Sequence, residues 1–249
     1  MLPGKKIYFA SDFHLGIPDH ASSLERERKL VHWLTQIEKD VEELFLLGDL
    51  FDFWFEYSQV VPKGFIRLQG KLAELADKGI PIHIFTGNHD LWMKDYFEQE
   101  QIGKIYRKHL IRSFNGKQFY LAHGDGLGPG DRSFKLMKKV FLNPLCRRMF
   151  SWLHPGFGIN LAHFFSHKSR RSTGSSDGIF LGEDKEFLVL HAREVLKTEP
   201  IDYFIFGHRH YPVHLHLNRS EFINLGDWIT HFTYAVFDGE TLELKHYED

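Results

Sequence analysis

The sequence predicts an α/β fold with a largely parallel sheet, and three observations predict it. Short apolar runs alternate with stretches of helical periodicity over the first third of the 249 residues. Five of the apolar runs end in Asp, Asn or His, where open α/β sheets place ligand sites. The last third carries closely spaced strand-like runs separated by turn residues.

The elements follow in order. Lys6-Ile7-Tyr8-Phe9-Ala10 reads as a first buried strand, ending in Ser11-Asp12-Phe13-His14. Leu24, Leu30, Val31, Leu34, Ile37 and Val41 recur at helical spacing, which predicts a helix over 22–41 with Ser22 or Ser23 as its N-cap. Leu44-Phe45-Leu46-Leu47 is a second strand, ending in Gly48-Asp49. A second helix runs from about Lys63 to Lys78, stopped by Gly79 with Pro81 just beyond. The run 80–86 is a third strand and opens into Gly87-Asn88-His89-Asp90. Gln118 to Ala122 forms a strand ending at His123-Gly124-Asp125, and Asn115-Gly116 predicts a hairpin joining it to 110–114.

The stretch from Arg132 to Ser176 differs in character. Arg132, Lys135, Lys138, Lys139, Arg147, Arg148, Lys168, Arg170 and Arg171 stand among Phe, Leu, Met and Trp, with no Asp or Glu between them. Pro144 and Pro155-Gly156 divide it into short helices, so 132–176 reads as a helical insertion within a single domain spanning 1–249. A helix over about 185–197 returns the chain to the sheet. Tyr203 to Phe206 then ends in Gly207-His208-Arg209-His210. The runs 213–217, 222–225, 234–237 and 242–247 read as a β-meander, with Asp238-Gly239 as a hairpin turn.

Composition narrows the function. A net charge of -2 gives no global attraction to nucleic acid, and none is expected as a partner. The single cysteine, Cys146, excludes an internal disulfide and thiolate zinc cages; it reads as a small buried apolar residue of a protein from a reducing compartment. No signal-peptide pattern precedes the first strand and no apolar run reaches about 18 residues, so a cytoplasmic location is expected.

Asp12-x-His14, Gly48-Asp49, Asn88-His89-Asp90, His123 and His208-x-His210 share one grammar of apolar strand followed by oxygen and imidazole donors. Singly, each motif reads as a turn, a helix cap or a solvated His. Together and in this order they form a donor set suited to Mn²⁺, Fe²⁺ or Zn²⁺. So many ligands suit two ions sharing a carboxylate, a pair that can activate water and polarise a phosphoryl oxygen. His89 is placed to stabilise developing charge or protonate a leaving group, and Asp52 to orient its ring. His83, His214 and His216 lack the strand-end pattern and read as structural.

Asp-x-His, Gly-Asp-x-x-Asp, Gly-Asn-His-Asp, His and Gly-His-x-His, from Asp12 to His210, resemble the calcineurin-like metallophosphoesterase superfamily. The resemblance implies a four-layer α/β/β/α sandwich of two mixed sheets. It implies one metal held by Asp12, His14, Asp49 and His210, and a second held by Asp49, Asn88, His123 and His208. Ser11 to Gly16, Gly48 to Trp54, and His123-Gly124-Asp125 followed by Asp131-Arg132 are similar to the UDP-2,3-diacylglucosamine pyrophosphohydrolases of lipid A biosynthesis. In that family water attacks the α-phosphate of a lipid-linked UDP-sugar, releasing UMP and 2,3-diacylglucosamine 1-phosphate, with Mn²⁺ the usual ion. Its insertion holds the acyl chains at the cytoplasmic face of the inner membrane.

By that likeness Asp131 contacts substrate, as do Asn88 and His208, while Arg132, Lys168, Arg170 and Arg171 are candidates by charge alone. Better-known members carry Arg at the position of His89, where this chain has the His of the wider superfamily. Two other readings stand beside this one: a phosphoesterase acting on a soluble nucleotide or phosphodiester, and a non-catalytic scaffold on the same fold.

Overall fold

The computed structural model describes residues 1–129, 132–162 and 179–248, except for the side chains of 132–134. In chain order the elements are β1 (Lys6–Ala10), α1 (His20–Ile37), β2 (Val41–Leu47), α2 (Ile66–Asp77), β3 (Ile82–Phe85), α3 (Tyr96–Gln99), β4 (Lys104–Tyr106), β5 (Leu110–Phe114), β6 (Lys117–Ala122), α4 (Arg132–Leu142), α5 (Pro144–Ser151), α6 (Phe187–Val195), β7 (Tyr203–Phe206), β8 (Pro212–Leu217), β9 (Ser220–Leu225), β10 (Thr233–Phe237) and β11 (Leu242–His246).

Two mixed sheets result. One has the order β11-β10-β1-β2-β3-β4 and the other β5-β6-β7-β9-β8. In the first, β1, β2, β3 and β4 run parallel, β10 pairs antiparallel with β1, and β11 pairs antiparallel with β10. In the second, β6, β7 and β9 run parallel and the edge strands β5 and β8 are antiparallel. Apolar side chains on both faces of the central strands dictate layers on both sides. Phe9, Phe45, Leu47, Phe119, Leu121, Ile205 and Ile223 pack between the sheets. Leu44 and Leu46 point the other way, onto Leu30, Trp33 and Leu34 of α1 and Leu68, Leu72 and Leu75 of α2. On the far side Leu188, Val189 and Ala192 of α6 cover Tyr120, Phe204 and Phe222. The layers are therefore helix, sheet, sheet and helix, the sandwich that the family resemblance implies.

Several local expectations are corrected. The N-cap of α1 is Asp19, whose carboxylate accepts from Ser22 N and Ser22 Oγ at 2.9 Å each, and Val41 belongs to β2. The short elements α3 and β4 have no counterpart in the periodicity, being too brief to show one. The final strands do not form a continuous meander. β8 and β9 pair in the second sheet, whereas β10 and β11 extend the first, with β10 lying against β1. The hairpin at Asn115-Gly116 is present, with φ of 47° and 79° as a primed turn requires. Cys146 is partly exposed on α5 rather than buried. Among the described residues no helix is long and apolar enough to cross a membrane.

Candidate metal centre

The registers bring the ligand-type residues together. Ala10 pairs with Leu46, Leu47 with Phe85, and Ala122 with Phe206, so neighbouring parallel strands end level within each sheet. β1, β2 and β3 deliver Asp12 and His14, Asp49 and Asp52, and Asn88 and His89 from one sheet. β6 and β7 deliver His123, His208 and His210 from the other. Asp12, His14, Asp49, His208 and His210 all have positive φ, between 43° and 70°. Such backbone costs about 1–3 kcal/mol per residue and persists where the surroundings enforce it, commonly at functional sites.

The loops approach too closely for side chains at their glycines. A Cβ at Gly87 would overlap the Asp49 carboxylate, and one at Gly207 would overlap Ser11 Oγ and Asp12 Oδ2. Asp90, fully buried, joins two of the loops: Gly87 N donates to its Oδ1 at 2.7 Å and Leu50 N to its Oδ2 at 2.8 Å.

Among the described residues three donor clusters form: Asp12, His14 and His210; Asp49, His123 and His208; and His14, Asp49 and His89, each with atoms within 4.8 Å of one another. Asn88 joins the second through its Oδ1, 3.2 Å from His123 Nε2. Asp49 Oδ2 lies 3.6 Å from His14 Nε2 and 3.3 Å from His123 Nε2, so one oxygen faces both sides. Its Oδ1 accepts from His89 N at 2.8 Å. His14 Nε2 and His210 Nε2 approach to 3.0 Å.

Asp12 Oδ2 accepts from Ser11 Oγ at 2.5 Å and His208 N at 2.9 Å, while its buried Oδ1 accepts no hydrogen bond. An orphaned buried carboxylate oxygen beside imidazole nitrogens costs free energy unless a cation neutralises it. The donor set therefore fits divalent ions.

The electrostatics agree. Burial opposes the charge of Asp12, but the imidazoles of His14 and His210, whose Nε2 atoms lie 3.6 and 3.2 Å from Oδ1, hold its carboxyl well below the ordinary value. Burial likewise opposes Asp49, and the charges of His123 and His89 override it, again holding the carboxyl far down. Burial disfavours charge on His123, yet the Asp49 carboxylate pushes it up to about 10. Burial, then repulsion from His123, pulls His208 down to about 4. Burial, then the Asp49 charge, pushes Asp90 up to about 7.

His123 Nδ1 faces Leu47 O at 2.7 Å. His89 Nδ1 lies 3.0 Å from the backbone oxygen of Asp52 and 3.3 Å from its carboxylate, which is also 3.7 Å from His14 Nδ1. Asp52 thus serves two rings rather than one. Asp227 was not among the expected residues. Its Oδ2 lies 3.6 Å from His210 Nδ1, and its Oδ1 accepts from Ile229, Thr230 and His231 N. The signal was available: Gly226-Asp227 follows the apolar end of β9 as Gly48-Asp49 follows that of β2.

Asp131, Lys168, Arg170 and Arg171 lie outside the described residues, as does the side chain of Arg132. The helices α4 and α5 stand against the site loops. Trp92 Nε1 donates to Phe141 O at 2.7 Å, Lys138 Nζ pairs with Asp125 Oδ2 at 2.5 Å, and Phe150 packs on Phe55 and Trp92.

A family model described as calcineurin-like phosphoesterase matches residues 5–212. The chain belongs to that family and is a metal-dependent hydrolase. Within it, the chain is 40% identical over 257 aligned residues to a UDP-2,3-diacylglucosamine hydrolase of Porphyromonas gingivalis, covering 98% of each. It is 21% identical to a UDP-2,3-diacylglucosamine hydrolase of Yersinia enterocolitica, covering 95% of this chain and 96% of that one. Among solved structures the phosphoesterase Yfce from E. coli is 16% identical, with a TM-score of 0.49 over 97% of this chain and 92% of that chain.

Proposed function

We propose that this chain hydrolyses the pyrophosphate bond of UDP-2,3-diacylglucosamine, giving UMP and 2,3-diacylglucosamine 1-phosphate. Two supports meet here: the near-full-length likeness to the Porphyromonas hydrolase and the shared oxygen of Asp49, which carries the chemistry. Asp12, His14, Asp49 and His210 would hold one ion. Asp49, Asn88, His123 and His208 would hold the other. When bound, the ions would supply Lewis-acid activation of a water nucleophile and neutralise charge at the phosphoryl oxygens; the donor set suits Mn²⁺, Fe²⁺ or Zn²⁺, and the family resemblance favours Mn²⁺ among them.

The chain's own groups do the rest. Asp12 and Asp49 enter the reaction ionised, so no proton need leave them when ions bind. His123 gives up its proton on ligation, and Leu47 O fixes which ring nitrogen then faces inward. Asp52 holds Nδ1 of His89, directing the opposite ring nitrogen to the scissile phosphate, where it stabilises charge or protonates the departing phosphate oxygen.

Residues 132–176 act in this reading as an insertion that receives the acyl chains at the cytoplasmic face of the inner membrane. Leu136, Leu145, Met149, Trp152 and Phe157 are 57–73% exposed, which is unusual for apolar residues so close in sequence. Basic residues on the same stretch would add about 1 kcal/mol each near anionic headgroups. Asp131, Arg132, Lys168, Arg170 and Arg171 are proposed substrate contacts.

The test is mass spectrometry of products from UDP-2,3-diacylglucosamine in detergent with Mn²⁺. UMP and the lipid phosphate are expected in equal amounts. An intact lipid substrate alongside cleaved soluble diesters would transfer the activity to a soluble substrate and sink the lipid reading.

A further inference from the structure

We propose that Arg209 is a positioning residue: its buried pair with Glu186 holds His208 and His210 in place for both ion sites at once. The inference rests on the two-ion reading above. Arg209 stands between two imidazoles that face different clusters, His210 with Asp12 and His14, and His208 with Asp49 and His123. The backbone on either side is unfavourable, with φ of 70° at His208 and 53° at His210. Arg209 N turns back to Gly207 O at 2.8 Å, tightening the tripeptide further. A loop of this kind keeps its shape only where its surroundings hold it.

The contacts divide along the loop. Asn224 Nδ2 donates to Gly207 O at 2.6 Å and His208 N donates to Asp12 Oδ2 at 2.9 Å, fixing the entry. At the middle, Arg209 Nε donates to Glu186 Oε1 at 2.8 Å, and a terminal nitrogen lies 3.4 Å from Oε2 and 3.1 Å from Ile179 O. The guanidinium lies over the Phe187 ring, 5.6 Å from its centroid.

Glu186 occupies the N-cap position of α6, yet its side chain makes no capping bond. The carboxylate serves Arg209 instead of the helix. Arg209 is 8% exposed and Glu186 3%, so the pair acts through the flanking ligands rather than on substrate. Because both imidazoles hang from one anchored residue, the two ion sites should weaken together when the anchor is lost.

Stability and positioning can be separated. Replacing a whole buried ion pair by apolar residues of similar volume is often neutral for stability, whereas removing one partner is not. The experiment compares the full chain with the double variant Arg209→Met, Glu186→Leu. Mn²⁺ is titrated by calorimetry, and the spin-coupled Mn²⁺ pair is followed by electron paramagnetic resonance.

The wild type is expected to bind two ions. The double variant is expected to melt within a few degrees of it, to bind both ions roughly 10- to 100-fold more weakly, and to lose the coupled signal. Wild-type affinity at both sites in the folded variant overturns the proposal, as does weakening at one site alone. A wild type that takes up fewer than two ions overturns the two-ion reading itself, before any variant is made. Should the double variant not fold, Arg209→Lys decides the same question, since it keeps the charge and removes the fork. Joint weakening then supports the proposal, and unchanged affinity sinks it.

Discussion

Asp49 and His89 share a cluster but are held in different ways. Asp49 gives one oxygen to His89 N and turns the other toward the imidazoles on both sides. Asp49→Asn removes the shared charge, so ion binding and activity should both disappear, as metal analysis and turnover would show. His89 has its Nδ1 tied to Asp52 rather than directed at another carboxylate. His89→Ala should keep ion content near normal and lower turnover about 10²- to 10⁴-fold. Loss of both ions in that variant would make His89 a ligand, which its place beside His14 and Asp49 would permit. At this scale the candidate ligands were legible because each follows an apolar run. The left-handed backbone that carries five of them was not, since Asp and His announce no φ.

The decisive element contact is the aromatic layer between the sheets. Phe119 stacks on Phe9 at 6.0 Å and meets Phe237 edge-on at 4.9 Å, with no exposure to solvent. Phe119→Ala should cost about 3–5 kcal/mol, read from urea unfolding. The same change should weaken ion binding, because Asp12, Asp49 and Asn88 come from one sheet while His123, His208 and His210 come from the other. Unaltered ion affinity in a variant destabilised to that extent would show that the loops hold the centre without the sheet interface. The strands themselves were readable from composition. The switch of β10 to the first sheet was not, because β9 and β10 are alike in length and apolarity and either could pair with a neighbour in sequence.

For the whole molecule, protons and ions compete for one centre. His123 is raised to about 10 by the Asp49 carboxylate. It must lose that proton to serve as a ligand, so apparent Mn²⁺ affinity should rise with pH, by up to about tenfold per unit below pH 10 for one proton released. Calorimetry in buffers of different ionisation enthalpy checks this, and an affinity flat between pH 7 and 9 would contradict it.

Metal-free stability has the opposite slope on the alkaline side. A raised His contributes stability that is complete below its unfolded value of about 6.5 and is lost as pH climbs through the folded value. The depressed Asp12 and Asp49 contribute stability present above the ordinary carboxylate range and lost on acidification. Chelated protein should therefore melt earlier at pH 10 than at pH 7.

By itself the sequence determined the chemistry: apolar runs long enough to be strands, and donors of one kind placed just past their ends. That information is local, since each strand and the residues after it are contiguous. Only the tertiary structure decided which strands lie side by side, that a single oxygen of Asp49 faces two clusters, and that Arg209 is anchored to Glu186. These depend on closing long loops between segments far apart in the chain, a choice made by burying both faces of two sheets at once rather than by any local propensity.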